Sequence, residues 1–286
     1  MTPMAGQLAG QVALVTGGGR GIGRGIAEAF AAEGAAVAVM ARTTAQLEET
    51  VAHIERAGGR ALAVAGDVTV REDVERAVAE TTRELGPITV LVNNAGITGP
   101  YAPIWAADPD EWWLTQEVHV RGVYLCTRAV LPSMMARGSG RIITVASRAA
   151  EQARPHVSAY GIAKTAQVRF TETLAAEVGP YGIHAFVLHP GFVDTQFADE
   201  PLRRADAQQW VPEFVARVRE LKRNPAIGTP MSAVTRLCVF LASGKGDALS
   251  GRYLTVDDDV AELARHAERI REEDLYTLRL RRLAEA

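Results

Sequence analysis

Thr16-Gly17-Gly18-Gly19-Arg20-Gly21-Ile22-Gly23 follows the apolar run from Gln11 to Thr16 and opens an amphipathic run from about Gly21 to Ala32. Glycines reach positive φ without strain and let a backbone come close to a ligand. A helix beginning at such a loop aims free N–H groups and the positive end of its dipole at the same place. Strand, glycine loop and helix therefore read as a cradle for the pyrophosphate of a dinucleotide. Gly17, Gly19, Arg20, Gly21, Ile22 and Gly23 are its candidate residues. Beyond the loop, short apolar runs alternate with longer amphipathic ones. Strands are expected at 36–40, 61–64, 90–93, 141–147, 183–189 and 252–256, and helices at 44–57, 70–85, 109–136 and 158–178. Asp108 and Pro109 mark the start of the third of these helices as N-cap and first position. The alternation implies parallel pairing in a doubly wound sheet, a three-layer α/β/α fold. Such sheets bind ligands past the carboxyl ends of their strands, so function should gather at residues 16–23, 93–96, 147 and 189–195.

Composition narrows the possibilities. The chain has 286 residues, 48% hydrophobic and 23% charged, as in an ordinary globular protein with a large core. Its 31 basic and 34 acidic side chains leave a net charge of −3, which argues against nucleic acid as a partner. No uninterrupted apolar stretch nears the roughly 18 residues of a membrane span. The segment from Met1 to Gly10 has no positive charge followed by an apolar run, so no secretory signal is expected. Cys126 and Cys238 sit in apolar surroundings without ligand spacing. No metal, disulfide scaffold or membrane partner is expected, and a reducing cytoplasm is the expected compartment.

Further motifs follow the strands in order. Asp67-Val68 follows the third strand, Asn93-Asn94-Ala95-Gly96 the fourth, and Pro190-Gly191, with Val193 and Thr195 after it, the sixth. Tyr160-Gly161-Ile162-Ala163-Lys164 lies on a predicted helix, thirteen residues after Ser147. With Thr-Gly-x-x-x-Gly-x-Gly at the front, this ordered set resembles the short-chain dehydrogenase/reductase family over residues 12 to about 256. The resemblance implies a Rossmann fold, with Asp67, Val68, Asn94, Ala95, Gly96, Pro190, Gly191, Val193 and Thr195 at the cofactor and Ser147, Tyr160 and Lys164 in catalysis. It also implies a homotetramer or homodimer built through the long fourth and fifth helices.

The residue chemistry agrees. Tyr160 and Lys164 are four apart and share a helix face. A free phenol has a pKa near 10, and a nearby cation lowers it toward the working range. Ser147 can donate a hydrogen bond to a carbonyl or alkoxide oxygen, and nicotinamide brings the hydride that no side chain supplies. Transfer of a hydride between nicotinamide and a ketone or secondary alcohol is the expected reaction. A 3-oxoacyl thioester reductase is the alternative enzyme. A non-catalytic redox sensor is the alternative of another class, and the intact Ser147, Tyr160 and Lys164 speak against it.

The chain departs from the family pattern at two points. His119 stands where the family has an Asn that steadies a relay water near the lysine; a neutral His both donates and accepts, and it can titrate. Val256-Asp257-Asp258-Asp259 replaces Asp-Gly-Gly, and these acids are expected to cap a helix. The second strand ends at Ala41 rather than at an acid for the ribose hydroxyls, and Arg20 and Arg42 are nearby. NADP is therefore the expected cofactor, with NAD as the second choice.

The catalytic domain is expected over 1–258. A lid over the nicotinamide is expected at about 192–224, where Trp210, Phe214, Val218 and Leu221 recur at helical spacing. With Phe192 and Phe197 they suit an apolar or aromatic substrate, and His156 is a candidate lining residue. His184 and His189 are expected to be structural, and Trp112 and Trp113 packing or interface residues. The extension at 259–286 reads as a helix over 261–273 and then an alternating arm of Tyr276, Leu278 and Leu280. The arm would cover either this subunit or a neighbour.

Overall fold

Runs that are apolar on both faces become strands of a parallel sheet, which is covered on both sides. They are β1 (Val12–Thr16), β2 (Ala36–Ala41), β3 (Arg60–Ala65), β4 (Val90–Asn93), β5 (Gly140–Val145), β6 (Ile183–His189) and β7 (Tyr253–Thr255). Their order in space is β3-β2-β1-β4-β5-β6-β7, every pairing parallel. The computed structural model describes residues 6–280; residues 1–5 and 281–286 lie outside the described residues. Direction reverses between β1 and β4, so the crevice of the sheet opens there.

One helix layer holds α1 (Gly21–Ala32), α2 (Thr44–Arg56) and α10 (Met231–Ala242). Ile26, Phe30, Leu47, Ile54, Leu237 and Leu241 pack from it on the sheet. The other holds α3 (Arg71–Leu85), α5 (Gly122–Arg137) and α6 (Ser158–Val178), through Val74, Ala77, Val130, Met134 and Leu174. Pro225–Ala242 has the length and mean hydropathy, 1.3, of a membrane span. Ser232, Thr235 and Arg236 interrupt its apolar run. Only its α10 part is an α-helix, with Val234, Leu237, Cys238 and Leu241 buried in the core.

Three expected elements come out differently. The helix expected over 109–136 is α4 (Pro109–Gln116), a π turn (Glu117–Arg121) and α5. Asp108 does cap its start, accepting from Glu111 N at 2.8 Å. The lid has α7 (Glu200–Arg203), α8 (Ala205–Trp210) and α9 (Pro212–Arg223), because Val211 leaves helical geometry at φ −133° ahead of Pro212. The extension has α11 (Val260–Arg265) and α12 (Ala267–Glu272), parted at His266. Asp259 caps α11 by accepting from Glu262 N at 3.0 Å. Ala267 and Ile270 join the core around Phe30 and Leu254, so no packing boundary falls at residue 258.

The arm lies on its own subunit, along the free side of β7. Tyr253 N donates to Tyr276 O at 2.8 Å. Leu278 packs against Ala146, Ala150, Val168 and Val187, while Leu280 is 87% exposed. Asp274 and Tyr276 sit at φ +51° and +59°, a conformation that costs a non-glycine residue on the order of 1 kcal/mol. Bonds from Arg252 and Arg279 to Asp274, and from Arg279 to Glu172 at 2.7 Å, hold the bend. Ending the chain at Glu273 is expected to lower stability by about 2–4 kcal/mol, two half-buried side chains at 1.5–3 kcal/mol each when fully buried, plus the lost bonds. It should also promote self-association through the bared edge. Urea midpoints and sedimentation of the two forms check this; equal values for both would contradict it.

Candidate active site

The glycine loop is folded as its composition requires. Gly17 and Gly21 have φ of +65° and +55°. A Cβ on Gly23 would lie 2.2 Å from Gly17 O, and one on Gly19 3.0 Å from Gln46 Cβ. Arg20 occupies the N-cap of α1 without a side-chain cap bond, so the first amides of α1 are left for a ligand. Open glycines ahead of an uncapped helix start fit a pyrophosphate.

Asn94 braces this loop. Its Nδ2 donates to Thr16 O at 2.9 Å and Gly17 O at 3.3 Å, and the Asn94 and Ala95 amides donate to Thr16 Oγ1 at 3.0 and 3.1 Å. Gly96 faces the His119 ring, where a Cβ would lie 2.5 Å from Cε1. Asp67 accepts from Thr69 N and Oγ1 at 2.9 and 2.8 Å, and Val68 is buried against Gly122. Arg42 is 68% exposed and 3.9 Å from Asp67. Arg20 donates to Gln196 at 2.9 Å.

Past β6, Pro190 and Val193 are buried, Gly191 has φ +76°, and Thr195 adjoins Gly21. Thr229 was not expected here. Its Oγ1 accepts from Phe192 N at 3.0 Å and its N donates to Phe192 O at 2.8 Å, closing the lid's base. The lid is braced within itself by Lys222 to Asp194 and Asp199 and by Arg204 to Asp206, and tied to the body by Arg204 to Glu111 and by Trp210 O to His156 Nδ1 at 2.8 Å. His156 thus ties the lid to the loop ahead of Tyr160, at φ +67°. Among the described residues, no three His, Cys, Asp or Glu side chains are grouped to hold a metal.

Ser147 leaves β5 as N-cap of a 3-10 turn, its Oγ accepting from Ala149 N at 3.2 Å, and its hydroxyl draws the Tyr160 phenol downward. Lys164 Nζ is buried on the same face of α6, 5.4 Å from the Tyr160 ring centre. It donates to Val145 O at 2.8 Å and Gln167 Oε1 at 3.1 Å. Burial pushes the Tyr160 phenol up to about 12 against the pull of the Ser147 hydroxyl, and lowers the Lys164 amine to about 7. The expected lowering of the tyrosine does not prevail, because burial dominates its environment.

The His119 ring is edge-on to Tyr160 at 5.4 Å, with Nε2 2.7 Å from Ile97 O and 3.2 Å from Ile97 N. Burial, helped by Lys164, holds its imidazole well below the usual value, so it stays neutral where the sequence allowed titration. Its main-chain carbonyl, not its ring, leads to the lysine, through Gln167 Nε2 at 2.8 Å. His189 Nδ1 accepts from Arg148 N at 3.2 Å, and burial lowers it to about 4. His184 lies 3.5 Å from Asp247. Trp112 Nε1 donates to Ser158 Oγ at 3.1 Å, and Trp113 is exposed.

Residues 11–205 match the model of the short chain dehydrogenases. The chain is 35% identical to a short chain dehydrogenase of Pseudocercospora fijiensis over 92% of this chain and 85% of that one. It is 39% identical to the short-chain reductase NovJ of Streptomyces niveus over 86% and 92%. A gluconate 5-dehydrogenase from Burkholderia cenocepacia, solved in complex with NADP and tartrate, superposes with a TM-score of 0.75 at 32% identity, over 89% of this chain and 96% of that one.

Proposed function

The chain belongs to the short chain dehydrogenase family and is an NAD(P)-dependent oxidoreductase; we propose that it interconverts ketones and secondary alcohols, with NADP, on apolar or aromatic substrates. The reading is carried by Tyr160, on whose phenol Ser147 acts and which stands one helical turn from the buried Lys164. A bound nicotinamide supplies the hydride. Ser147 Oγ–H steadies the substrate oxygen as the carbonyl π pair moves onto it. Tyr160 gives that oxygen its proton, and Lys164 is the nearest cation to the phenolate left behind. A phenol that stays protonated up to about 12 is the form that donates in the reducing direction. Phe197, half exposed with its ring 6.2 Å from Tyr160, supports an aromatic or apolar group next to the reacting carbon. A panel of ketones and alcohols with NADPH and NADH, read by absorbance of the reduced nicotinamide, tests the assignment. Turnover of no carbonyl or alcohol would reject it.

NADP is favoured because β2 ends in Ala41 and the exposed Arg42 stands next to it. A carboxylate at 41 would repel a 2′-phosphate and accept the ribose hydroxyls of NAD. Ala41→Asp is expected to lower the NADPH/NADH ratio of kcat/KM at least about tenfold, or 1.4 kcal/mol. A wild-type preference for NADH, or an unchanged ratio, would contradict it.

A further inference from the structure

Gln167 is a glutamine in the middle of α6, only 2% exposed, three residues past Lys164 and so on the same face. Burying an amide is costly unless both ends are bonded, and here both are. A carbonyl can only accept, so the amide end that meets His119 O at 2.8 Å is Nε2, and Oε1 is turned to Lys164 Nζ at 3.1 Å. His119 O can take an outside donor because it lies in the π turn, whose widened ladder turns carbonyls away from the helix.

We propose that Gln167 is a positioning residue for proton transfer. Its amide, oriented by the π-turn carbonyl, holds the Lys164 ammonium toward Tyr160 and fills the place a relay water would take. An ammonium has three N–H donors. Val145 O and Gln167 Oε1 take two, which leaves the third for the Tyr160 and cofactor side. The titratable groups facing Lys164 are Tyr160 on its own helix and His119 on the π turn; no carboxylate contributes to its shift. A neutral amide is thus the partner that favours the charged amine in this buried place. The proposal rests on the catalytic reading of Lys164, but part of its test does not need turnover.

The chain has only three lysines, Lys164, Lys222 and Lys245, so lysine labelled with ¹³C at Cε gives three signals, assigned through Lys222→Arg and Lys245→Arg. Gln167→Met keeps the length of the side chain and removes both hydrogen bonds. In the cofactor-free protein it is expected to lower the Lys164 midpoint by about one unit, and Gln167→Glu to raise it. In turnover, kcat of Gln167→Met should fall about tenfold with substrate KM within twofold, and its pH profile should move with the NMR midpoint. Midpoints in the order Met below Gln below Glu, with kcat following, support the proposal. Equal midpoints, or an unchanged kcat in the Met variant, overturn it. If the Met variant does not fold, the direction of the Glu shift decides. A wild type that turns over no carbonyl would refute the enzymatic reading while leaving the NMR order to judge the placement of Lys164.

Discussion

Tyr160→Phe is expected to lower kcat at least about a hundredfold while the protein stays folded and binds its cofactor. The ring and its packing on His119 and Phe197 remain. The transferable hydroxyl, on which Ser147 acts, is lost. Two decades correspond to about 3 kcal/mol at 1.36 kcal/mol per decade, against roughly 1 kcal/mol of stability for one hydrogen bond. Activity and melting temperature should therefore separate. Because burial keeps the phenol protonated up to about 12, wild-type reduction should show no loss from Tyr160 ionisation at moderately alkaline pH. Oxidation, which needs the phenolate as base, should rise with pH. More than a tenth of the wild-type rate in the Phe variant, with a deuterium isotope effect proving the chemical step limiting, would remove Tyr160 from the reaction.

Gly23→Ala is expected to cost more stability than any other single methyl group in the cofactor loop. The new carbon would stand 2.2 Å from Gly17 O and 2.5 Å from Asn94 Nδ2. Neither can retreat: Gly17 N is bonded to Met40 O at 2.7 Å, and Asn94 is held by Thr16. Overpacking of this kind costs about 1–3 kcal/mol or more, so melting should fall by roughly 2–10 °C and cofactor affinity should drop with it. Gly161→Ala is the control. Its Cβ would meet Ala149 O at an ordinary 3.6 Å, and replacing this first-turn helical glycine should stabilise by up to about 0.5–1 kcal/mol. A Gly23→Ala protein that melts with the wild type and binds cofactor equally well would show the loop to be softer than its contacts imply.

The strands were legible because a parallel sheet buries both faces, and apolar runs such as Val90–Asn93 and Ile183–His189 have no other use. The glycine loop was legible because Gly17 and Gly21 need positive φ and Gly23 needs the absence of a side chain. The π turn was not, since one residue added to a helix hardly changes the apolar spacing around Val118 and Val123. Its effect, a main-chain carbonyl turned to Gln167, leaves no mark in the side-chain pattern. Gln167 itself had a signal that was not used: a polar residue three positions after Lys164, on a buried face. Asn94 was expected at the cofactor; that its amide braces the glycine loop was not legible, because it depends on β4 lying beside β1. In the arm, Tyr276 and Leu278 pack on their own subunit while Leu280 stays exposed, a difference that alternation alone cannot tell.

The closure of β7 by the arm is also a seal that the chain carries with it. Tyr253, whose outward amide is the open donor, stands 23 residues before Tyr276, which covers it (276 less 253). Because cover and edge belong to one continuous chain, the seal forms at a local concentration that no neighbouring polypeptide can match. Competition from a second copy for that edge is therefore decided by tethering as well as by the strength of the contacts.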